Sequence, residues 1–413
     1  MNNEGKQKRF AAKPLVLVLV AVTFFVLGNV IGTGRLKLPF ANRGYASVSG
    51  LPKDLDYSGV EDVYDELRTN YDGKLTAEQL ETGLKKGLAE ATGDPYTEYF
   101  TAKEAADFEG QVNGTFTGIG AELGEDSDGN IIIVAPIAGN PAEKAGVQAQ
   151  DIIARINGES TTGMSIDDAV SKIRGEKGTT VKLSLIRDKS QALDLTITRD
   201  SIQIKSVKWE VQDDDIGYIT ISTFGSDTPD LIHQAATELK DKNVKGVVLD
   251  LRGNPGGILD SAVAVSSEWL PQDKTVLQEK RGSVVLDTYK STGSALLAGI
   301  PTVVLIDQGS ASASEITAGA LKDNNAARLI GEKSYGKGVV QQPICIGGGR
   351  QSDGNCSDAM LKVTVASWYR PNGQNINKKG IEPDQKVTIS DEDVAAKNDT
   401  QKTAAIDYLK AKQ

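Results

Sequence analysis

Histidine is almost missing from this sequence. The single one in 413 residues, His233, lies in Thr228-Pro-Asp-Leu-Ile-His-Gln-Ala-Ala-Thr-Glu-Leu239, an amphipathic pattern that reads as a partly exposed helix position rather than a catalytic base. Only two cysteines accompany it. Zinc sites of the usual Cys/His kind are therefore excluded, and although carboxylate sites stay conceivable, no metal or cofactor is expected. No basic stripe or aromatic-interleaved lysine cluster offsets a formal net charge of −10, so nucleic acid is not expected as a partner. What the chain does have is glycine, 43 of them, which suits many turns and short strands, and enough length for two or three domains with real cores.

Residues 1–13 carry Lys6, Lys8, Arg9 and Lys13, and Pro14 to Ile31 then run without a charge. About eighteen such residues are just enough to span a bilayer. The run also has signal-sequence form, but no Ala-x-Ala site follows, so a single uncleaved anchor is expected at 14–31 rather than a short core helix. Arg35, Lys37 and Arg43 come after it, which leaves a thin difference in flanking charge. Because long domains translocate largely regardless of charge, the rest is expected outside the cytoplasm, held to the cell membrane by this one pass. Residues 35–50 read as a tether. Helical faces follow, Val60, Val63, Tyr64 and Leu67 on one, Leu80, Leu84 and Leu88 on another, with Thr76-Ala-Glu-Gln79 as a capping box between them.

The most informative stretch is Asp307-Gln-Gly-Ser-Ala-Ser-Ala-Ser-Glu-Ile-Thr-Ala-Gly-Ala-Leu-Lys-Asp323. Ahead of it, Pro301-Thr-Val-Val-Leu-Ile306 has the length and β-branching of a buried strand. Small residues then turn the chain, and Ala313, Ile316, Ala320 and Leu321 recur at helical spacing. The pattern predicts strand, tight turn and helix, with serines at the helix entrance beside unpaired backbone N–H groups. On spacing alone, Ser312-Ala-Ser-Glu315 is equally a good capping box. What favours chemistry is Lys337, held between Gly336 and Gly338 in Gly331-Glu-Lys-Ser-Tyr-Gly-Lys-Gly-Val-Val-Gln341. A serine needs a base to become a nucleophile, and Ser-Lys is an established variant of the usual triad. An unperturbed lysine, with a pKa of about 10.4, is neutral in only roughly one molecule in 2,500 at pH 7. Making the neutral form dominant asks for about 4.6 kcal/mol of desolvation and neighbour effects, so Lys337 is expected to be buried and close to Ser312.

A second turn stands out. Asp250-Leu-Arg-Gly-Asn-Pro-Gly-Gly-Ile258 follows the buried run Gly246-Val-Val-Leu-Asp-Leu251 and opens a helix, so its glycine N–H groups face whatever occupies the site. Anion or oxyanion binding is the natural use of such a turn, a plain strand-to-helix connection the alternative. Ile216–Ile221 and Gly246–Leu251 flank the helix that holds His233, which suggests a parallel crossover. Cys345 and Cys356 bracket a polar, glycine-rich loop. Outside the cytoplasm a disulfide closing it is expected, free surface thiols being the alternative.

Taken together these strings resemble the carboxy-terminal processing peptidases, also called tail-specific proteases. Ser-Ala-Ser-Ala-Ser-Glu-Ile, Ala-Gly-Ala-Leu-Lys-Asp and Tyr-Gly-Lys-Gly-x-x-Gln fall in that family's order and spacing. The resemblance implies Ser312 as nucleophile, Lys337 as base twenty-five positions later (337 − 312), and Gln341 holding the lysine amine. Ser310 and Ser314 then read as local hydrogen-bonding serines, and Asp323 matches an acidic position of the family. An oxyanion hole is implied from the N–H of Ala313 with that of Gly256 or Gly257. Between 109 and 200 lie Phe116-Thr-Gly-Ile-Gly-Ala-Glu-Leu123, Ile131–Val134, Asp151–Ile156, Val181–Ile186 and Leu193–Ile197 as short strands, with Asn140–Ala145 and Ser165–Ile173 as short helices. This order resembles a PDZ domain, in which Gly118, Ile119 and Gly120 would offer N–H groups to a terminal carboxylate while a strand edge pairs with an extended peptide. Arg174 is a candidate relay from that domain to the core, a structural ion pair being the alternative. Asp94-Pro-Tyr-Thr-Glu-Tyr-Phe100 reads as a loop with aromatic anchors, and Arg370-Pro-Asn-Gly-Gln-Asn-Ile376 with Gly380-Ile-Glu-Pro-Asp384 match the family's closing strings.

The expectation is therefore an α/β multi-domain protein: a helical region at 51–108, a PDZ domain at 109–200, a serine peptidase core of the crotonase and ClpP-like αβ type at 201–389, and a polar tail at 390–413 ending in a short helix that either caps the fold or frays. Its substrates would be unfolded or extended polypeptides with free C-termini, and a homo-oligomer or an adaptor is compatible with the sequence. Two other classes compete. A non-catalytic scaffold would have lost the serine, lysine or glutamine, and all three are present; an acyl-transfer or hydratase enzyme on the same core would have no use for peptide capture.

Overall fold

The computed structural model describes residues 56–413, apart from 189, 348 and 351–355. The anchor expected at 14–31 and the tether at 35–50 lie outside the described residues, among which no helix is long and apolar enough to cross a membrane. The chain divides into two compact units at Thr76. In the first, the described part is the helix Ser58–Asn70, where Val60, Val63, Tyr64 and Leu67 form the face their spacing predicts, and all four are exposed.

The second unit begins with the helix Ala77–Glu90 and contains everything that bears on function. Its centre is a six-stranded sheet in the order 207–212, 216–221, 246–250, 302–306, 328–331 and 385–386, the first pair antiparallel and the rest parallel. The helix Thr228–Asp241 makes the crossover expected from the two flanking apolar runs. Thr302–Ile306 is buried along its whole length because alternate side chains serve opposite layers. Val304 and Ile306 pack with Ile316, Ala320 and Leu321 of the helix Ala313–Asp323, while Val303 and Leu305 pack with Ala405 and Leu409 of the helix Thr400–Lys410. Both of those last residues are fully buried, so the C-terminal helix is a cap and does not fray. Each aliphatic side chain buried this way contributes about 1.5–3 kcal/mol.

A second sheet runs alongside. The long hairpin Val339–Ile346 and Ala359–Tyr369 is extended along the other edge of Ala359–Tyr369, by Glu98–Phe100 at one end and by the hairpin Thr275–Arg281 and Val284–Lys290 at the opposite end. Glu98–Phe100 corrects the loop expected there: its backbone pairs with Met360–Lys362, a partner more than 250 residues away that no local pattern announces. Cys345 and Cys356 are joined, sulfur to sulfur at 2.07 Å. The bridge packs with Phe100, Ala105, Phe108 and Met360, and Cys356 N–H donates to Glu109 Oε1 at 2.9 Å.

Between these elements, a sheet ordered 121–125, 131–136, 152–156, 180–187 and 191–198 surrounds its own core of Ile133, Ile153, Leu183 and Ile197. The single strand expected over 116–123 is in fact two. Thr115–Gly118 pairs with Asp200–Gln203, the chain bends at Gly120 with φ +72°, and Ala121–Glu125 becomes the open edge of the larger sheet, next to the helix Ile166–Ile173.

Candidate active site

Three connections leave the carboxyl ends of neighbouring parallel strands, where ligands gather in open α/β sheets: the one after Ile221, the Arg252–Ile258 turn after Asp250, and the serine turn after Ile306. Asn254 binds the last two together. Its carbonyl accepts from Ala311 N–H (3.0 Å) and Ser314 Oγ (2.9 Å), and its side chain reaches Ile221 O (2.6 Å). Behind it, the Arg252 guanidinium spans Asp250, Asp399 and Gln401 at 2.7–3.1 Å, which moors the turn to the start of the C-terminal helix.

The three serines separate cleanly. Ser310 Oγ donates to Leu251 O (2.8 Å) and Ser314 Oγ to Asn254 O (2.9 Å), both fully buried. Ser312 Oγ faces the Glu315 N–H as acceptor in the capping box that opens the helix and donates its own proton to no group among the described residues, and Ser312 sits at φ +53°, ψ −114°, a sparsely populated conformation for a residue other than glycine. Strained strand-to-helix turns of this kind push a serine hydroxyl clear of the backbone.

Ser312, Lys337, Gln341, Gly256 and Gly257 line one cleft of about 490 Å³. Its apolar wall is built by Phe108, Val112, Leu259, Ile316, Val340 and Trp368. Gly256 donates its N–H to Asn254 Oδ1 at 2.9 Å. The N–H groups of Gly257 and of Ala313 have no protein partner among the described residues. That difference separates two adjacent glycines the sequence could not tell apart. Gly257 holds φ +145°, and a Cβ there would stand 2.3 Å from Phe224 O. Gly257→Ala is therefore expected to displace the turn and, through the loss of one candidate oxyanion donor, to lower kcat by about 10²–10³-fold in a protein that a thermal melt still reports as folded.

Lys337 is half-buried, and its amine makes no hydrogen bond or ion pair among the described residues; Tyr96 lies under it, 5.2 Å from ammonium to ring centroid. Burial pushes the ammonium below its ordinary value, and the neighbouring Lys362 pushes in the same direction. The strand Ala359–Tyr369 and the closing strings wrap this turn: Trp368 Nε1 donates to Lys337 O (2.9 Å), Asn375 Nδ2 to Gly338 O (2.8 Å), and a Cβ on Gly336 would meet Gly380 N at 2.7 Å. Gln341 Nε2 donates to Thr364 Oγ1 at 3.3 Å and not to the lysine.

Glu315 ties the two halves of the site together, a role its place in a capping box does not reveal. The carboxylate is wholly buried. One oxygen accepts from Ser312 N–H and Lys337 N–H (both 2.9 Å), the other from Ser334 Oγ (2.6 Å) and Gly336 N–H (2.7 Å). Burial pushes the group above the ordinary carboxylate range, against the pull of these donors. Asp323 also acquires a role. It pairs with Arg370 at 2.5 Å, both side chains buried, and receives Asn372 N–H at 3.3 Å, so it holds the first closing string to the serine helix.

The remaining predicted residues lie apart from the cleft. The carbonyls of Ile119 and Gly120 are fixed by Ala142 N–H (2.7 Å) and Ile137 N–H (2.9 Å), which sets the loop at the head of the open strand 121–125. Arg174 is exposed, with its guanidinium 5.1 Å from the Phe116 ring centroid and no ion pair among the described residues. His233 meets Glu268 Oε1 at 3.0 Å on the outer side of its helix.

Residues 215–387 match peptidase family S41, and residues 132–187 match a PDZ domain. Over 375 residues, 91% of this chain and 76% of the other, the sequence is 36% identical to the carboxy-terminal processing protease CtpA of Bacillus subtilis (strain 168). The chain belongs to peptidase family S41. A probable CtpA-like serine protease of Staphylococcus haemolyticus (strain JCSC1435) is 34% identical over 389 residues, 94% of this chain and 75% of that one. Among solved structures, a putative S41 protease from Bacteroides fragilis NCTC 9343 superposes with a TM-score of 0.55 at 18% identity, covering 88% of this chain and all of the other, which is a likeness of fold. The S41 match spans the cleft from the Arg252 turn to the closing strings, and the PDZ match takes in the helix that borders the open edge strand.

Proposed function

We propose that this S41 peptidase is a membrane-anchored, extracytoplasmic endopeptidase that captures the C-termini of extended polypeptides in its PDZ groove and hydrolyses them with a Ser312–Lys337 dyad. The observation that carries the reading is the undonated hydroxyl proton of Ser312, on a strained turn at a helix N-terminus, sharing a cleft with a half-buried and unpaired lysine. Neutral Lys337 takes the Oγ proton as Ser312 attacks the peptide carbonyl carbon, and the displaced electron pair settles on oxygen. Gly257 and Ala313, the two donors left free, hold that oxyanion. Collapse breaks the C–N bond, the leaving amine takes the proton back from Lys337, and water deprotonated by the same amine releases the acyl group. Gln341 supports the lysine from the strand beside it once substrate fills the cleft. Capture follows from the open edge of 121–125, where a peptide can add as a further strand with its carboxylate at Gly118–Gly120. The uncharged run Pro14–Ile31 supports the anchor.

The test uses the detergent-solubilised full chain with an unfolded polypeptide ending in apolar residues, offered with a free or an amidated C-terminus, and Ser312→Ala as control. Cleavage is expected from the native chain alone, and about tenfold slower on the amide, the value of a charge-assisted hydrogen bond to the carboxylate. Equal rates on the two substrates would remove C-terminal capture. Cleavage by the alanine variant would remove the dyad.

A further inference from the structure

The cleft holds a second lysine that the mechanism above does not use. Lys362, on the strand Ala359–Tyr369, lines the same cavity as Ser312 and Lys337. Its side chain is 15% exposed and its ammonium pairs with Glu98 across the strand pair in which the two residues are direct partners. It also lies 5.1 Å from the ring centroids of both Phe100 and Phe108, which stack on each other at 5.3 Å. A lysine held by one carboxylate and two aromatic faces has little freedom to leave. Thr364, two positions along the same strand and so on the same face, is the residue that receives Gln341. Lys362, Gln341 and the candidate base thus all face one cleft.

We propose that Lys362 is a positioning residue of the reaction, the fixed second cation of the cleft, acting through Lys337 rather than on the scissile bond. The inference rests on the reading that Lys337 is the base. Two ammonium groups facing one low-dielectric cavity repel, so Lys362, held in its ion pair with Glu98, favours the neutral form of its neighbour. The other groups facing Lys337 act against this: Glu98 from the strand 98–100, Asp94 from the loop before it and Glu315 from the serine helix all favour the charged form, with Tyr96 beneath the amine. Lys362 is the one cation among them. Its pairing with Glu98 holds it in place, and spreads part of that carboxylate's attraction away from Lys337.

The pH dependence of kcat/KM tests this with a fluorogenic unfolded polypeptide and the full chain, thermal melts reporting folding. In Lys362→Met the acid limb is expected to move up by about one pH unit, so that well below the native midpoint the rate falls roughly tenfold. Lys362→Arg keeps the charge and is expected to keep the limb. Glu98→Gln is expected to move the limb down. Opposite shifts from the two members of one ion pair cannot come from lost packing, which would lower both profiles without moving either limb, and that result would overturn the proposal. So would a raised KM in Lys362→Met with an unmoved limb, the signature of a substrate contact. Lys337→Ala separates the two levels of inference. If it stays active, the base assignment fails and takes this one with it; if it is inactive and the limb of Lys362→Met stays in place, only the role of Lys362 is lost.

Discussion

Replacing Lys337 with alanine is expected to lower kcat by about 10⁴-fold, the upper range for loss of a general base that also serves as acid, while the thermal midpoint stays within a few degrees. The second half follows from the structure: the amine has no partner to strand, and the turn is held by backbone bonds from Trp368, Asn375 and Glu315 that the substitution leaves intact. Lys337→Arg is the sharper variant. It preserves the positive charge and most of the length, but a guanidinium does not deprotonate in a protein, so it is expected to be as inactive as alanine. Recovery of activity in the arginine variant would mean that the site needs a cation and not a base. In the native protein kcat/KM is expected to rise with pH through the lysine's pKa, because only the neutral amine accepts the serine proton. Burial lowers that pKa, so the rise falls at lower pH than an exposed lysine would give. A profile still climbing at the ordinary lysine value would show that burial does not depress this lysine.

Glu315→Ala is expected to cost stability and activity together. Four buried donors converge on this carboxylate, from Ser312, Ser334, Gly336 and Lys337. Each stranded donor costs about 1–3 kcal/mol, so the loss is of the order of 4 kcal/mol or more, a large part of the 5–15 kcal/mol that holds a typical domain. Glu315→Gln separates shape from charge. Its amide oxygen can keep Ser312 and Lys337, and Ser334 can turn to accept from the new NH₂, which leaves the Gly336 N–H facing a donor. One such mismatch costs about 1–3 kcal/mol, so the melting temperature is expected to fall in the order native, Gln, Ala. The glutamine variant also removes a negative charge that favours protonated Lys337, so its acid limb should move to lower pH even as its maximum rate drops. A glutamine variant as unstable as alanine would show that the charge, and not the acceptor geometry, holds the site.

The contrast between these residues shows what the sequence could and could not disclose. Ser312 and Lys337 were legible because each sits in a short string whose small residues and glycines have a local reason, a tight turn into a helix and a close approach of backbones. Asp323 was visible as a position without a meaning, since its partner Arg370 comes 47 residues later. Glu315 was misleading in a specific way: its spacing from Ser312 already explained it as a cap, and the bonds to Ser334, Gly336 and Lys337 reach across 19 to 22 residues with no periodicity to mark them. Lys362 and Glu98 are further apart still, joined by a strand pairing and an ion pair that no local pattern announces. The hairpin 275–290 is hidden in the sequence for a different reason. Val284, Val285 and Leu286 are consecutive and all exposed, so the inside-outside alternation that announces a strand is absent. The choice between Gly256 and Gly257 was invisible in principle, because it depends on where the side chain of Asn254 points.

The mooring of Arg252 to Asp399 and Gln401 bears on the order in which the protein becomes competent. Translation delivers Ser312 and Lys337 before it delivers Asp399, so a growing chain carries the proposed nucleophile and base while the turn that bears Gly257 still lacks its anchor. The strand 385–386, which completes the parallel sheet, and Ala405 and Leu409, which close its far face, arrive in the same late interval. Synthesis itself thus separates the presence of the reactive groups from their assembly, and a peptidase that would otherwise meet its own unfolded segments first has its catalytic geometry finished last.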